Sequence, residues 1–80
     1  MKLYVENLAR EASARELHRL FDKFGCITQL RIGRHADGSS DGTAYLEITK
    51  EQAGKAAINK LDTMNFMNRF LRVYEIPNGL

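Results

Sequence analysis

Cysteine is almost missing from this chain. Cys26 stands alone among 80 residues, so there is no internal disulfide and no thiolate cage for a metal. Its place just after Gly25 reads as that of a small buried apolar residue. Long hydrophobic runs are missing too, none approaching the roughly 20 residues that cross a bilayer. Strand-like residues begin directly after Met1, which leaves no signal-peptide pattern. The expectation is an intracellular protein, cytoplasmic or nuclear, that makes no membrane contact. Charge of one sign is also lacking. Lys and Arg number 12 against 10 Asp and Glu, and a net charge of +2 is too slight to argue for nucleic acid by itself.

Catalytic groups are equally sparse. His18 lies beside the apolar stripe of a helix and His35 lies in a loop, with no Cys-His or Ser-His arrangement. No glycine-rich phosphate cradle or pair of acids in a cleft is visible. The chain therefore reads as a non-enzyme that needs neither cofactor nor metal. "DGSSDG" at 37–42 does begin like a calcium loop, with Asp37, Ser39, Asp41 and Gly42 at loop positions 1, 3, 5 and 6. Such a loop requires a bidentate glutamate at position 12, where this chain has Ile48. Glu47 falls one residue too early, and two turn-forming pairs explain the string.

What is present is ordinary globular material. Hydrophobic residues make up 44% and charged ones 28%, which fits one soluble domain near the lower size limit for folding without staples. "KLYVENL" alternates, placing Leu3 and Val5 on one strand face and Lys2, Tyr4 and Glu6 on the other. "SARE" at 13–16 is a capping-box signature. Leu17, Leu20, Phe21 and Phe24 follow at i, i+3, i+4 and i+7, an amphipathic helix that Gly25 ends. "ITQLRI" is a second strand with Leu30 and Ile32 inward and Gln29 and Arg31 outward. "GRHADGSSDG" has the composition of a ten-residue loop.

"DGTAYLEI" at 41–48 opens on a turn pair. Its strand then turns Ala44, Leu46 and Ile48 to the core and Thr43, Tyr45 and Glu47 away from it. Thr49 is the candidate cap of a second helix to about Leu61, with Ala53, Ala56, Ala57 and Leu61 as a narrow stripe. Gly54 weakens that helix by about 1 kcal/mol relative to alanine, while allowing close approach to the sheet. "RFLRVYEI" is the last strand, with Leu71 and Val73 inward and Arg72 and Tyr74 outward. Residues 1–76 form the expected domain and 77–80 a short tail.

Strand-helix-strand twice over predicts an α+β fold: a two-layer βαββαβ ferredoxin-like sandwich. Its four-stranded antiparallel sheet carries both helices on one face. Right-handed crossovers bring the first and third strands together in the middle. Tyr4 and Tyr45 then become neighbours on the uncovered face, an arrangement that suits a flat partner.

In five segments the chain resembles the RNA recognition motif family. "DGTAYLEI" takes the place of the family's third-strand octamer, Lys/Arg-Gly-Phe/Tyr-Gly/Ala-Phe-Val-x-Phe/Tyr. Gly42 and Ala44 match strictly and Tyr45 is aromatic at the fifth position. "LYVENL" at 3–8 is similar to the first-strand hexamer, "LFDKFGCI" to the exit from the first helix, and "AAINKL" with "NRFLRV" to the second helix and fourth strand. The resemblance spans residues 2–76. A single domain that starts at methionine also resembles the family's small stand-alone members.

The resemblance implies binding of single-stranded RNA, or single-stranded DNA, by a monomer in post-transcriptional regulation. Bases would stack on Tyr4 and Tyr45, with Tyr74 near the edge. Lys2, Arg31 and Arg72 would meet phosphates or base edges, and Arg34 or His35 would add loop contacts. Gln29, Thr43 and the tail near Asn78 would read sequence. Asp41 replaces the family's usual basic residue and Thr43 its third-position aromatic, while Glu6 and Glu47 add carboxylates to the same face. Stacking is worth about 1–3 kcal/mol per base, whereas a micromolar complex needs about 8 kcal/mol. Affinity is therefore expected to be roughly micromolar or poorer, and to fall as salt rises.

Each of these residues also has a purely structural role open to it. Tyr4 and Tyr45 would serve as a cross-strand pair, Tyr74 as edge packing, and Lys2, Arg31 and Arg72 as a lattice with Glu6 and Glu47. The alternative function is a protein–protein interaction module that binds through its helices or through an exposed Met64, Phe66 and Met67 patch, residues for which capping the open end of the core is the structural reading. The family's peptide-binding variety uses an Arg-x-Phe triplet that reads Met64-Asn65-Phe66 here, without the arginine. An unrelated ferredoxin-like domain is the third possibility.

Overall fold

Alternation at the N-terminus becomes strand β1, Lys2–Glu6, in which Leu3 and Val5 are fully buried and Lys2 is exposed. The computed structural model describes residues 1–77, so the part of the expected tail from Asn78 onward lies outside the described residues. Helix α1, Ala14–Asp22, begins where the capping box places it. The Glu16 amide donates to Ser13 Oγ at 3.1 Å, and the Ser13 amide donates to Glu16 Oε1 at 3.0 Å. Two of the four otherwise orphaned N–H groups of that end are thus engaged reciprocally.

Leu17 and Phe21 are completely buried, and Leu20 and Phe24 pack at the rim of the core. The helix stops at Asp22, and Gly25 is not in the left-handed conformation of a capping glycine. Its smallness serves packing instead, since a Cβ there would lie 2.8 Å from the Ala53 Cβ. Cys26, expected to be buried, is exposed because the chain is turning from helix to sheet at the surface.

Strands β2, Ile27–Arg34, and β3, Ser40–Ile48, form a longer hairpin than the sequence suggested. Ladder pairing continues to Arg34 opposite Ser40, which shortens the ten-residue loop to residues 35–39. A tight turn closes it, with the Gly38 amide donating to the His35 carbonyl and the His35 amide to the Ser39 carbonyl. Helix α2 runs Glu51–Leu61. Lys50, not Thr49, is its N-cap residue, and no side chain caps this end. The buried stripe comprises Gly54, Ala57 and Leu61, flanked by Ala53 and Ile58, while Ala56 points to solvent. Gly54 does permit the close approach: a Cβ there would overlap the Met1 sulfur and sit 3.1 Å from Ile48 Cγ2.

The expected last strand is divided. β4, Asn65–Phe66, and β5, Arg69–Phe70, form a small hairpin of their own, and β6, Arg72–Glu75, alone joins the main sheet. Met67 and Asn68 connect β4 to β5, both at positive φ (53° and 67°), the dihedral signature of a two-residue turn that matches strand twist. Met64, Phe66 and Met67 are partly buried against the core rather than exposed.

The main sheet has the order β2-β3-β1-β6 and is antiparallel throughout. Both helices cover one face, where Leu3, Val5, Leu17, Phe21, Leu46, Ile48, Leu61, Leu71 and Val73 fill the core. The fold is thus the two-layer α+β sandwich, with Tyr4 and Tyr45 on its central strands.

The two helix starts differ in a testable way. Ser13→Ala is expected to cost about 0.5–2 kcal/mol by removing the cap. Thr49→Ala should leave urea-unfolding stability within about 0.5 kcal/mol of the parent, as for a surface change away from caps and core.

Candidate nucleic-acid interface

Register decides which side chains meet on the uncovered face. Tyr4 lies opposite Tyr45 on one side and Tyr74 on the other, and Arg31 lies opposite Tyr45. One row across all four strands therefore reads Arg31, Tyr45, Tyr4, Tyr74. The Tyr4 and Tyr74 ring centroids are 5.7 Å apart with planes tilted by 54°, a favourable aromatic geometry. Tyr74, for which the sequence left both an edge ring and edge packing open, is 40% exposed beside Tyr4. In the adjacent row Gln29 and Lys2 both lie opposite Glu47.

Tyr45 donates its hydroxyl to Glu47 Oε1 at 3.0 Å. Partial burial, the Glu47 hydrogen bond and the Glu47 charge push its phenol above the ordinary value, opposed by Arg31. Partial burial and then Glu6 raise the Tyr74 phenol in the same way. Both hydroxyls stay protonated at neutral pH, and that of Tyr45 is occupied, which leaves its ring face as the part available to a partner.

The expected lattice between cations and Glu6 or Glu47 does not form among the described residues. Arg72 lies opposite Glu6 but its ion pair goes to Asp62, at 3.5 Å, whose carboxylate also accepts from the Val73 amide at 2.8 Å. Arg31 and Lys2 make no ion pair with another described residue within 4.0 Å. Arg34 donates from Nη1 to the Gly38 carbonyl at 3.1 Å, which binds it to its own loop.

Asp41 and Thr43 occupy a bulge. Between Ile32–Ala44 and Arg34–Ser40, β3 advances four residues while β2 advances two. Gly42 absorbs the excess at a φ of +86°, a conformation that costs an L side chain about 1–3 kcal/mol. Its carbonyl accepts from the Leu8 amide at 2.9 Å, so the bulge is also tied to the end of β1. Asp41 Oδ1 accepts from the Thr43 amide at 3.0 Å and from the Thr43 hydroxyl at 2.6 Å. The Thr43 hydroxyl bond is the main reason that the Asp41 carboxyl lies below its usual range.

Both side chains lie over Gly33, where a Cβ would collide with Thr43 Oγ1 and both Asp41 oxygens. Asp41, Thr43, Tyr45, Tyr4, Arg31 and Arg34 thereby line one shallow cavity of about 510 Å³. Asp37 is engaged separately, accepting from the Ser39 amide and hydroxyl at 2.9 and 2.6 Å. The two acids of the calcium-like string serve two local turns, and no metal-holding group of three or more His, Cys, Asp or Glu exists among the described residues.

Two features were missed from sequence. Phe70 is 64% exposed, and its signal was its parity with Arg72 and Tyr74 in "RFLRVYE". Asn7, at a φ of 64°, donates to the Phe70 carbonyl at 2.9 Å, while Arg69 Nε donates to the carbonyl and side-chain oxygens of Asn7 at 3.2 Å. That clamp fastens β5 to the end of β1 and had no periodic signature.

The Tyr45–Glu47 bond makes a titration prediction. Glu47→Gln removes a charge that favours the neutral phenol, so the Tyr45 pKa should fall toward the ordinary tyrosine value. NMR titration of the Tyr45 ring carbons checks this, and an unchanged midpoint would exclude the coupling.

Comparison with known proteins gives this geometry a context. The family model described as RNA recognition motif matches residues 3–72. A splicing factor 3B subunit 6-like protein of Schizosaccharomyces pombe is 33% identical over 72 residues, covering 90% of this chain and 61% of that relative. The chain thus spans about six tenths of that relative's length. The crystal structure of RNA binding protein PG1 superposes with a TM-score of 0.92 at 30% identity, covering 95% of this chain and 93% of the other. A Sex-lethal protein/RNA complex gives a TM-score of 0.91 at 33% identity, covering 98% of this chain and 47% of that one. No helix among the described residues is long and apolar enough to cross a membrane. The match sets the chain in a binding rather than a catalytic class, and the chain belongs to the RNA recognition motif family.

Proposed function

We propose that the uncovered sheet face binds single-stranded RNA, with single-stranded DNA as a weaker substitute. The observation that carries this reading is the row Arg31, Tyr45, Tyr4, Tyr74 across four strands. Consecutive bases stack on Tyr45 and Tyr4, and Tyr74 extends the platform toward the β6 edge. Arg31 and Lys2, which have no ion pair with another described residue, take phosphates. Arg72 joins them by exchanging Asp62 for a phosphate, and Arg34 contributes from the β2 end. Gln29 and Thr43 offer polar groups to base edges.

The existence of a related domain in complex with RNA supports this reading. The splicing-factor name of the S. pombe relative supports an intracellular, post-transcriptional role. Residues 1–76 act as the binding unit, as a monomer and without cofactor. Asn78, assigned a reading role from sequence, lies outside the described residues.

Two or three stacked rings opposed by Glu6, Glu47 and Asp41 give an affinity of roughly micromolar or poorer. Losing one ring costs about 1–3 kcal/mol, so Tyr45→Ala should weaken binding on the order of tenfold. The test is an amide-resolved titration with short single-stranded RNA pools at low and high salt. Shifts should centre on Tyr4, Arg31, Tyr45 and Arg72 and shrink as salt rises. The exposed Phe70 ring favours the second reading, a protein-interaction module. A silent sheet together with partner-induced shifts around Phe70 or the helices would establish that reading instead.

A further inference from the structure

Asp41 stands where a phosphate-binding cation would be expected, and its solvent-exposed carboxylate is fixed by Thr43 in the cavity that Tyr4 and Tyr45 also line. Two donors of Thr43 fix Oδ1, and the absence of a side chain at Gly33 makes the space in which both residues lie. Among the described residues no hydrogen bond uses Oδ2. Thr43 and Tyr45 are two apart on one strand face, about 7 Å along the strand. The edge of a base stacked on Tyr45 therefore comes within reach of Asp41. An ionised carboxylate only accepts hydrogen bonds, so this position rejects phosphate oxygens and selects a base edge rich in donors. Arg31, across from Tyr45 and lining the same cavity, supplies the opposite character.

Guanine meets both requirements. Its Watson–Crick edge carries two adjacent donors, N1–H and N2–H₂, and its O6 and N7 accept from arginine. Adenine and cytosine each bring a single amino donor beside acceptors, and uracil a single imino donor between two carbonyls. We infer that Asp41, positioned by Thr43 over Gly33, is a specificity-determining residue that reads the donor edge of a guanine stacked on Tyr45. The inference rests on the RNA-binding reading proposed above. The depressed Asp41 pKa keeps the acceptor charged throughout the neutral range, and the bulge at Gly42 aims it at the platform.

The test compares affinities for UUGUU, UUAUU, UUCUU and UUUUU, for the parent chain and for Asp41→Asn. Asparagine retains an oxygen for the two Thr43 donors, so amide spectra of the variant should report an unchanged fold. The parent should prefer UUGUU on the order of tenfold over the other three, and Asp41→Asn should reduce that preference to about twofold or less. Equal affinity of the parent for all four RNAs would overturn the inference while leaving RNA binding intact. So would a uniform tightening by Asp41→Asn with the preference kept, because the carboxylate would then act only as a repulsive charge. Failure of the parent to bind any of the four would remove the underlying reading as well.

Discussion

The pleat of the two central strands is the constraint on which the rest of the molecule depends. Leu3 and Val5 on β1, and Ala44, Leu46 and Ile48 on β3, are at most 1% exposed beneath the helices. Side chains on a strand alternate with a period of two, so burying this set commits Tyr4 and Tyr45 to the opposite face. A slip of one residue would exchange core and platform completely. Hydrophobic burial thereby sets the position of the aromatic groups, and β1, paired on both sides, transmits that register to β3 and β6.

Against that rigid background the charges are arranged by local bonds. Glu47 accepts from Tyr45, Asp41 accepts from Thr43, and Arg72 pairs with Asp62 outside the central row. The carboxylates are mostly engaged by neutral donors, not by the cations of the face, which leaves Arg31 and Lys2 without carboxylate partners among the described residues. A chain of nearly balanced charge thus keeps two cations of this face out of ion pairs with described residues. Net charge alone would have missed this, because it counts groups without regard to what each one touches.

The glycines at 33 and 42 show how backbone and site are linked. Gly42, itself at positive φ, lets β3 carry two extra residues, and Gly33 leaves the opposite strand bare where Asp41 and Thr43 fold over. The bulge does not interrupt the sheet, since the Leu8 amide bonds to the Gly42 carbonyl within it. Bulges that re-aim a side chain beside a functional surface are a recurrent device, and here the re-aimed group is a carboxylate on an aromatic platform.

Sequence by itself determined the order of the two helices and the four main-sheet strands, the inward and outward faces of those strands, and the cap of α1. These are set by residues close together in the chain: alternation at Leu3–Val5 and Ala44–Ile48, the Ser13–Glu16 box, the Leu17–Phe21 stripe. It also made Tyr4 and Tyr45 neighbours, through the handedness of the crossovers. Tertiary structure alone decided the rest. Asp41 and Gly42 read locally as a turn, and only pairing across β2 makes them a bulge. Phe66 and Met67 read from sequence either as a contact patch or as a cap on the open end of the core, and the β4–β5 hairpin decides for the core while Phe70 is left outside. Tyr74 becomes a partner of Tyr4 only through a register 70 residues apart in the chain. Local pattern fixes what a residue does within its own strand or helix. Which distant group it meets depends on bulges, turns and register, and those are set by the packing of the whole chain.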